Sequence, residues 1–120
     1  MRISEIAEKT GLSLSTIRYY EKIGLCREVG RGADGKRRFS TSDADWFLLL
    51  ASLRETGMSL SDMRAFAALY AVGDKTVAQR KAALLAHRDS LDDRQAALDR
   101  CRAILERKLQ LYAKILEGEE

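Results

Sequence analysis

Residues 75 to 117 contain neither glycine nor proline, and along them Val77, Leu84, Leu91, Leu98, Leu105 and Tyr112 recur every seven residues. A seven-residue apolar period held over this length specifies one continuous helix with a coiled-coil seam. The segment "DKTVAQRK" opens it, with Thr76 and Gln79 at capping-box spacing, and Gly118 closes it. At 1.5 Å per residue such a helix is about 60 Å long. Five short elements cannot bury a stripe of that length. The rows beside the leucines are poor in apolar residues, with His87, Arg94, Cys101 and Lys108 on one side and Arg88, Gln95 and Arg102 on the other. The expected partner is a second copy of the same helix. The competing arrangement, folding back along the N-terminal part, would need a turn that no residue in the stretch supplies.

The first 73 residues are punctuated differently, by glycine and short polar residues. "ISEIAEKTGL" places Ile3, Ile6 and Ala7 on one face and stops at Gly11, which predicts a helix over 4–10. "SLSTIRYYEKIG" predicts a second over 14–23, with Ser13 as N-cap and Gly24 at its end. "LCREVGRGADGKRRFST" contains an Asp34-Gly35 pair suited to a type I′ turn and reads as a β-hairpin. Helices over 43–56 and 60–72 follow, with Ser42/Asp45 and Ser59/Asp62 as their capping boxes.

Neighbours on a helix point about 100° apart, so the paired rings of Tyr19 and Tyr20 cannot both face one core. Leu14, Ile17 and Tyr20 share the inner side of the second helix, whereas Ser15, Arg18, Tyr19 and Lys22 share the outer one. Hydroxyl, guanidinium and ammonium groups together are suited to holding phosphates and reaching base edges. Two short helices joined by a tight Gly-Leu turn are what a helix-turn-helix requires, its second helix entering the major groove of DNA, although many small helical pairs share this pattern. Arg31, Lys36, Arg37 and Arg38 on the following ribbon would make a wing on the neighbouring backbone. The same charges would equally serve to keep a solvated ribbon from pairing with other molecules. Residues 1–40 carry nine Lys/Arg against five Asp/Glu, and the remainder twelve against thirteen, so the basic excess lies at this end.

Other classes find little support. The longest apolar run, "WFLLLA", is too short to span a bilayer, and no signal segment opens the chain, so a cytoplasmic protein with no membrane partner is expected. Cys26 and Cys101 have neither metal-ligand nor disulfide-framework spacing. One histidine, His87, with no Ser/His/Asp set and no phosphate loop, argues against an enzyme and gives no reason to expect a cofactor or a metal.

"TIRYYEKIGL", together with "DGKRRFSTSD" and "LLLASLRETGMSLSDMR", resembles the MerR-type transcriptional regulators over essentially the whole chain. The resemblance implies a mainly α protein. A winged helix-turn-helix DNA-binding domain (1–73) would precede a dimerisation helix forming an antiparallel coiled coil (74–117) and a short tail (118–120). It implies a homodimer on a near-palindromic operator in double-stranded promoter DNA, which it bends and untwists so that RNA polymerase can read both promoter elements when an effector is present. Ser15, Thr16, Arg18 and Tyr19 match recognition-helix contacts, and Arg37 and Arg38 match wing contacts. Tyr20 matches a position packing near the wing that can lend its hydroxyl to the DNA backbone. The proline usual after "GL" is absent, and Phe39 stands where a wing tyrosine is common. An effector-independent, excisionase-like DNA-bending factor is the alternative, and a coiled-coil adaptor binding only protein is a third reading.

The effector is not named by these residues. "LYAVGDKTVAQRKAALLAHRDSL" resembles the subgroup linked to aldehyde and carbonyl stress, whose sensing cysteine falls here on Ser52, a poor nucleophile at neutral pH. An antiparallel pairing centred near residue 94 would bring Cys101 of one copy to His87 of the other. A thiolate there would suit oxidants or a soft metal; Cys101 as a small seam residue is the competing reading. A small-molecule or redox effector is therefore expected without a defined site.

Overall fold

Four short helices precede one of 40 residues in the computed structural model, which describes residues 1–26, 32–35 and 38–118. They are α1 (Ile3–Thr10), α2 (Leu14–Lys22), α3 (Thr41–Glu55) and α4 (Leu60–Val72), followed by a 3-10 turn at Asp74–Thr76 and by α5 (Val77–Leu116). The mainly helical class expected from the sequence holds, and no strand occurs among the described residues. Most of the expected hairpin, including Arg31, Lys36 and Arg37, lies outside them. The first compact unit runs Met1–Ala83 and so takes in the 3-10 turn and the opening of α5; the second begins at Leu84.

The helix ends follow local chemistry. Gly11 closes α1 at φ 75°, a conformation without penalty only for glycine, and its N–H donates to Ala7 O at 2.9 Å. Ser13 Oγ accepts from Thr16 N at 3.1 Å, and Ser59 Oγ from Asp62 N at 3.1 Å, so both expected N-caps are in place. The third is not. The capping box of α3 is Ser40 with Asp43, through Asp43 N to Ser40 Oγ at 3.0 Å and Ser40 N to Asp43 Oδ2 at 2.8 Å. The pair expected at Ser42 and Asp45 has the same spacing two residues later. What favours the earlier start is Phe39, which lies 3% exposed, edge-on to Phe47 at 5.9 Å, and can be buried only if the chain turns into the helix directly after it. Thr76 likewise does not cap α5. Its hydroxyl donates to Leu69 O at 2.6 Å and lies 2.8 Å from Gly73 O, tying the 3-10 turn to the end of α4.

Ile6, Ile17, Leu25, Phe47, Leu50 and Met63 are fully buried and form the centre of the first unit, with Tyr20 at 3% exposure beside them. Leu14, expected on the inner face of α2, is 39% exposed because it is the first residue of that helix. Met1 and Phe39 exchange two backbone hydrogen bonds, both 2.6 Å, which fix the strap that leads into α3. A turn spans Gly32 to Gly35, with Gly35 N donating to Gly32 O at 3.0 Å. Gly35 has φ 76° but no described non-glycine residue has positive φ. The type I′ turn expected at Asp34-Gly35 would require it at Asp34 as well, so that expectation fails.

Candidate nucleic-acid interface

The outer face of α2 is built from its cap outward. The Ser13 hydroxyl donates to Thr16 Oγ1 at 2.8 Å and lies 3.1 Å from Ser15 Oγ, which fixes three hydroxyls at the start of the helix. Thr16 keeps its own hydroxyl proton for a further acceptor. One turn on, Arg18 and Lys22 are exposed, and Tyr19 is 46% exposed while Tyr20 is 3%. The two tyrosine rings stand 6.4 Å apart and tilted by 48°, one on each side of the boundary between core and surface. Ser15, Thr16, Arg18, Tyr19 and Lys22 are thus brought together on one helix, and Tyr20 is set behind them.

A cleft of about 290 Å³ adjoins this face, lined by Thr16, Tyr19, Tyr20, Arg54, Met58, Leu60 and Met63. Tyr20 therefore lines its floor despite its burial. Arg54, in the last turn of α3, was missed by sequence reasoning although it lies within the quoted "LRETGM". A basic residue in the final turn of a helix is itself a signal, since it complements the helix dipole and points away from the core. The turn after it is held by Gly57 N donating to Arg54 O at 3.1 Å.

Arg38 is exposed, and its Nη2 donates to Asp34 Oδ2 at 2.9 Å. It also packs on Gly32, where an added Cβ would lie 2.9 Å from Arg38 Nε. Arg2 Nη2 approaches the same carboxylate oxygen at 3.7 Å. An exposed pair of this kind contributes about 0–1 kcal/mol, so Arg38 orders the ribbon tip without being locked to it.

A helix-turn-helix with an exposed hydroxyl and cationic face, followed by a 40-residue helix, can be compared directly with known proteins. Residues 1–68 match the model of the MerR HTH family regulatory proteins, and residues 48–108 match that of the MerR DNA-binding region. The chain belongs to the MerR family. It is 40% identical to an HTH-type transcriptional regulator of Haemophilus influenzae, over 92% of this chain and 82% of that protein. It is 34% identical to the HTH-type transcriptional regulator AdhR of Bacillus subtilis, over 76% of this chain and 65% of AdhR. Its fold matches HiNmlR, a MerR family regulator lacking the sensor domain and solved bound to promoter DNA, with a TM-score of 0.89 and 37% identity. That match covers 99% of this chain and 91% of HiNmlR. The protein is accordingly a MerR-family DNA-binding transcriptional regulator, and its relatives are regulators rather than enzymes.

The candidate sensing residues of this MerR protein are scattered. Ser52 is exposed on α3, where its carbonyl accepts from Thr56 Oγ1 at 2.7 Å. Cys101 is exposed and His87 half-buried, both on α5. Fourteen residues of helix separate them by about 21 Å, so one chain does not bring them together. Cys26 is half-buried and packs on the core of the first unit. Among the described residues no three His, Cys, Asp or Glu side chains are grouped to hold a metal ion, and no helix is long and apolar enough to cross a membrane.

Proposed function

We propose that this MerR-family protein is a cytoplasmic homodimer that binds an inverted repeat in promoter DNA and controls transcription by distorting it. The observation that carries the reading is the division of α2. Tyr20 is buried at 3% exposure and anchors the helix, while Ser15, Arg18, Tyr19 and Lys22 are exposed on its outer face, the face that would enter the major groove. Arg31, Lys36, Arg37 and Arg38 serve as the wing on the flanking backbone, and Arg54 adds a phosphate contact beside Tyr19. Residues 1–73 act as the DNA-binding domain, and residues 74–117 pair antiparallel with a second copy through Val77, Leu84, Leu91, Leu98, Leu105 and Tyr112, with 118–120 as a tail.

A dimer of this kind places two recognition helices at successive major grooves, so its site is an inverted repeat. Bending such a site by tens of degrees costs on the order of 1–6 kcal/mol, which the wing and cleft contacts would offset. Presenting the deformed promoter to RNA polymerase is then the means of control, with a small-molecule or redox effector setting the outcome. HiNmlR, solved on promoter DNA, supports this reading. Selection from a random duplex library followed by a circular-permutation bending assay tests it. The expected result is an inverted repeat bent at its centre. Recovery of direct repeats, or of a straight duplex, would count against it, and bending with no response to cell extract would favour the effector-independent architectural factor.

A further inference from the structure

A second cleft in the first unit has a volume of about 490 Å³ and shares no lining residue with the outer face of α2 or with the cleft beside Tyr19. It is walled by Leu25, Cys26, Asp43, Trp46, Ala67 and Tyr70. Small-molecule sites occupy roughly 300–1,000 Å³ and are mostly apolar with a few polar groups, and this cleft fits that description.

Its wall is wired to both functional ends of the unit. Trp46 Nε1–H donates to Leu25 O at 2.8 Å, and Leu25 N donates to Tyr20 O at 2.9 Å, so the indole is two hydrogen bonds from the recognition helix. The indole stacks on Tyr70 at 4.4 Å, and the guanidinium of Arg80 lies 5.2 Å from the Tyr70 ring centroid. Arg80 in turn donates to Thr76 Oγ1 and Gly73 O, each at 3.1 Å, where α5 begins.

The lining also selects ligand charge. It contains the carboxylate of Asp43 and, among the described residues, no lysine or arginine, so the described lining disfavours an anion. Asp43 Oδ2 already accepts Ser40 N–H at 2.8 Å, and a permanent cation would give up its water to walls that are mainly apolar. We propose that this cleft binds an uncharged, ring-bearing small molecule with one hydrogen-bond donor. Its ring lies against Trp46 and Tyr70 and its donor meets the Ser42–Asp43 wall, and occupancy changes operator affinity through the link from Trp46 to Leu25. The regulatory half of this proposal rests on the promoter-binding reading above; the binding half does not.

Trp46 is the only tryptophan in the chain, so its indole N–H gives a single cross-peak in a nitrogen–proton correlation spectrum of the labelled full chain. Benzyl alcohol is the probe, benzoate its anionic counterpart, and Ala71→Phe the plug, since Ala71 is exposed at the cleft wall and tolerates enlargement without repacking. Benzyl alcohol is expected to shift the indole peak saturably in the millimolar range. Benzoate should bind at least about tenfold more weakly because of the like charge on Asp43. Ala71→Phe should abolish the shift while leaving ligand-free operator affinity unchanged. At saturation the operator dissociation constant should change by about fivefold or more, the lower end of coupling between two sites. A linear shift, equal binding of benzoate, or a shift surviving Ala71→Phe would overturn the site. Saturable binding with unaltered operator affinity would overturn the regulatory half. Absence of any operator binding would count against the promoter-binding reading alone, because the indole shift still reports on the cleft.

Discussion

Trp46 donates its indole N–H to the carbonyl of Leu25 at 2.8 Å, across 21 positions of sequence. Leu25 is fully buried, so that carbonyl has no access to water. Trp46→Phe keeps an aromatic ring but strands the acceptor, which costs about 1–3 kcal/mol. A urea titration should show a lower midpoint at an unchanged slope. Tyr70→Phe, which removes a hydroxyl from a residue 46% exposed, should stay within about 0.5 kcal/mol of wild type. No loss in Trp46→Phe would remove this hydrogen bond from the forces that hold the unit together.

The start of α3 can be tested as sharply. Because Ser40 and Asp43 cap each other at 3.0 and 2.8 Å, Ser40→Ala should lower stability by about 0.5–2 kcal/mol. Ser42→Ala, at the exposed second residue of α3, should change it by less than about 0.5 kcal/mol. Thermal unfolding followed by circular dichroism ranks the two, and a larger loss at Ser42 would restore the later helix start.

That contrast shows what was legible in the sequence and what was not. A period or a lone cap was enough where only one solution existed: Gly11 closes α1, Ser13 and Ser59 cap α2 and α4, and the wheel of α2 separates Tyr20 from Tyr19. "FSTSDAD" offers two overlapping caps of the same spacing, and the choice is made by burial of Phe39 against Phe47, a contact the local string does not encode. Phe39, which stands where a wing tyrosine is common, is a core ring. Thr76 has the residue type of a cap, yet its hydroxyl is claimed by Leu69 and Gly73 carbonyls that only the turn brings near. Arg54 and the cleft at Trp46 depend on pairs of helices meeting, and no single-helix pattern carries them.

The proposed DNA face would make two kinds of contact. Arg18, exposed one turn into α2, is placed to pair with a base edge, so Arg18→Ala should cost about 1–3 kcal/mol and relax preference at one position of the site. Arg54 lines the cleft beside Tyr19 and is suited to a phosphate. Arg54→Ala should weaken all sequences alike and flatten the logarithmic salt dependence by about 0.9 per phosphate lost in each half-site. Anisotropy titrations of operator and scrambled duplex across a salt series distinguish the two. Unchanged affinity on losing Arg18 would remove it from the interface.

The apolar stripe of α5 is unburied within one chain: Leu98 is 63% exposed, Leu105 55% and Tyr112 50%. The row carrying Arg88, Gln95 and Arg102 continues into Leu109 and Leu116, at 60% and 88% exposure. That second row is therefore apolar only in the last turns of the helix. Each buried leucine side chain is worth about 1.5–3 kcal/mol, and a dimer carrying Leu91→Asp with Leu98→Asp loses four of them while gaining four seam charges. Light scattering should find monomers, with specific operator binding lost because one recognition helix holds only half a site. Orientation follows from cysteine placement in a background lacking Cys26 and Cys101. Arg94→Cys, at the expected centre, should form an intermolecular disulfide, whereas Leu84→Cys should not, since its antiparallel counterpart is near residue 104. Efficient cross-linking through Leu84→Cys would mean that the helices pair in parallel, and would also separate His87 from Cys101 in the dimer.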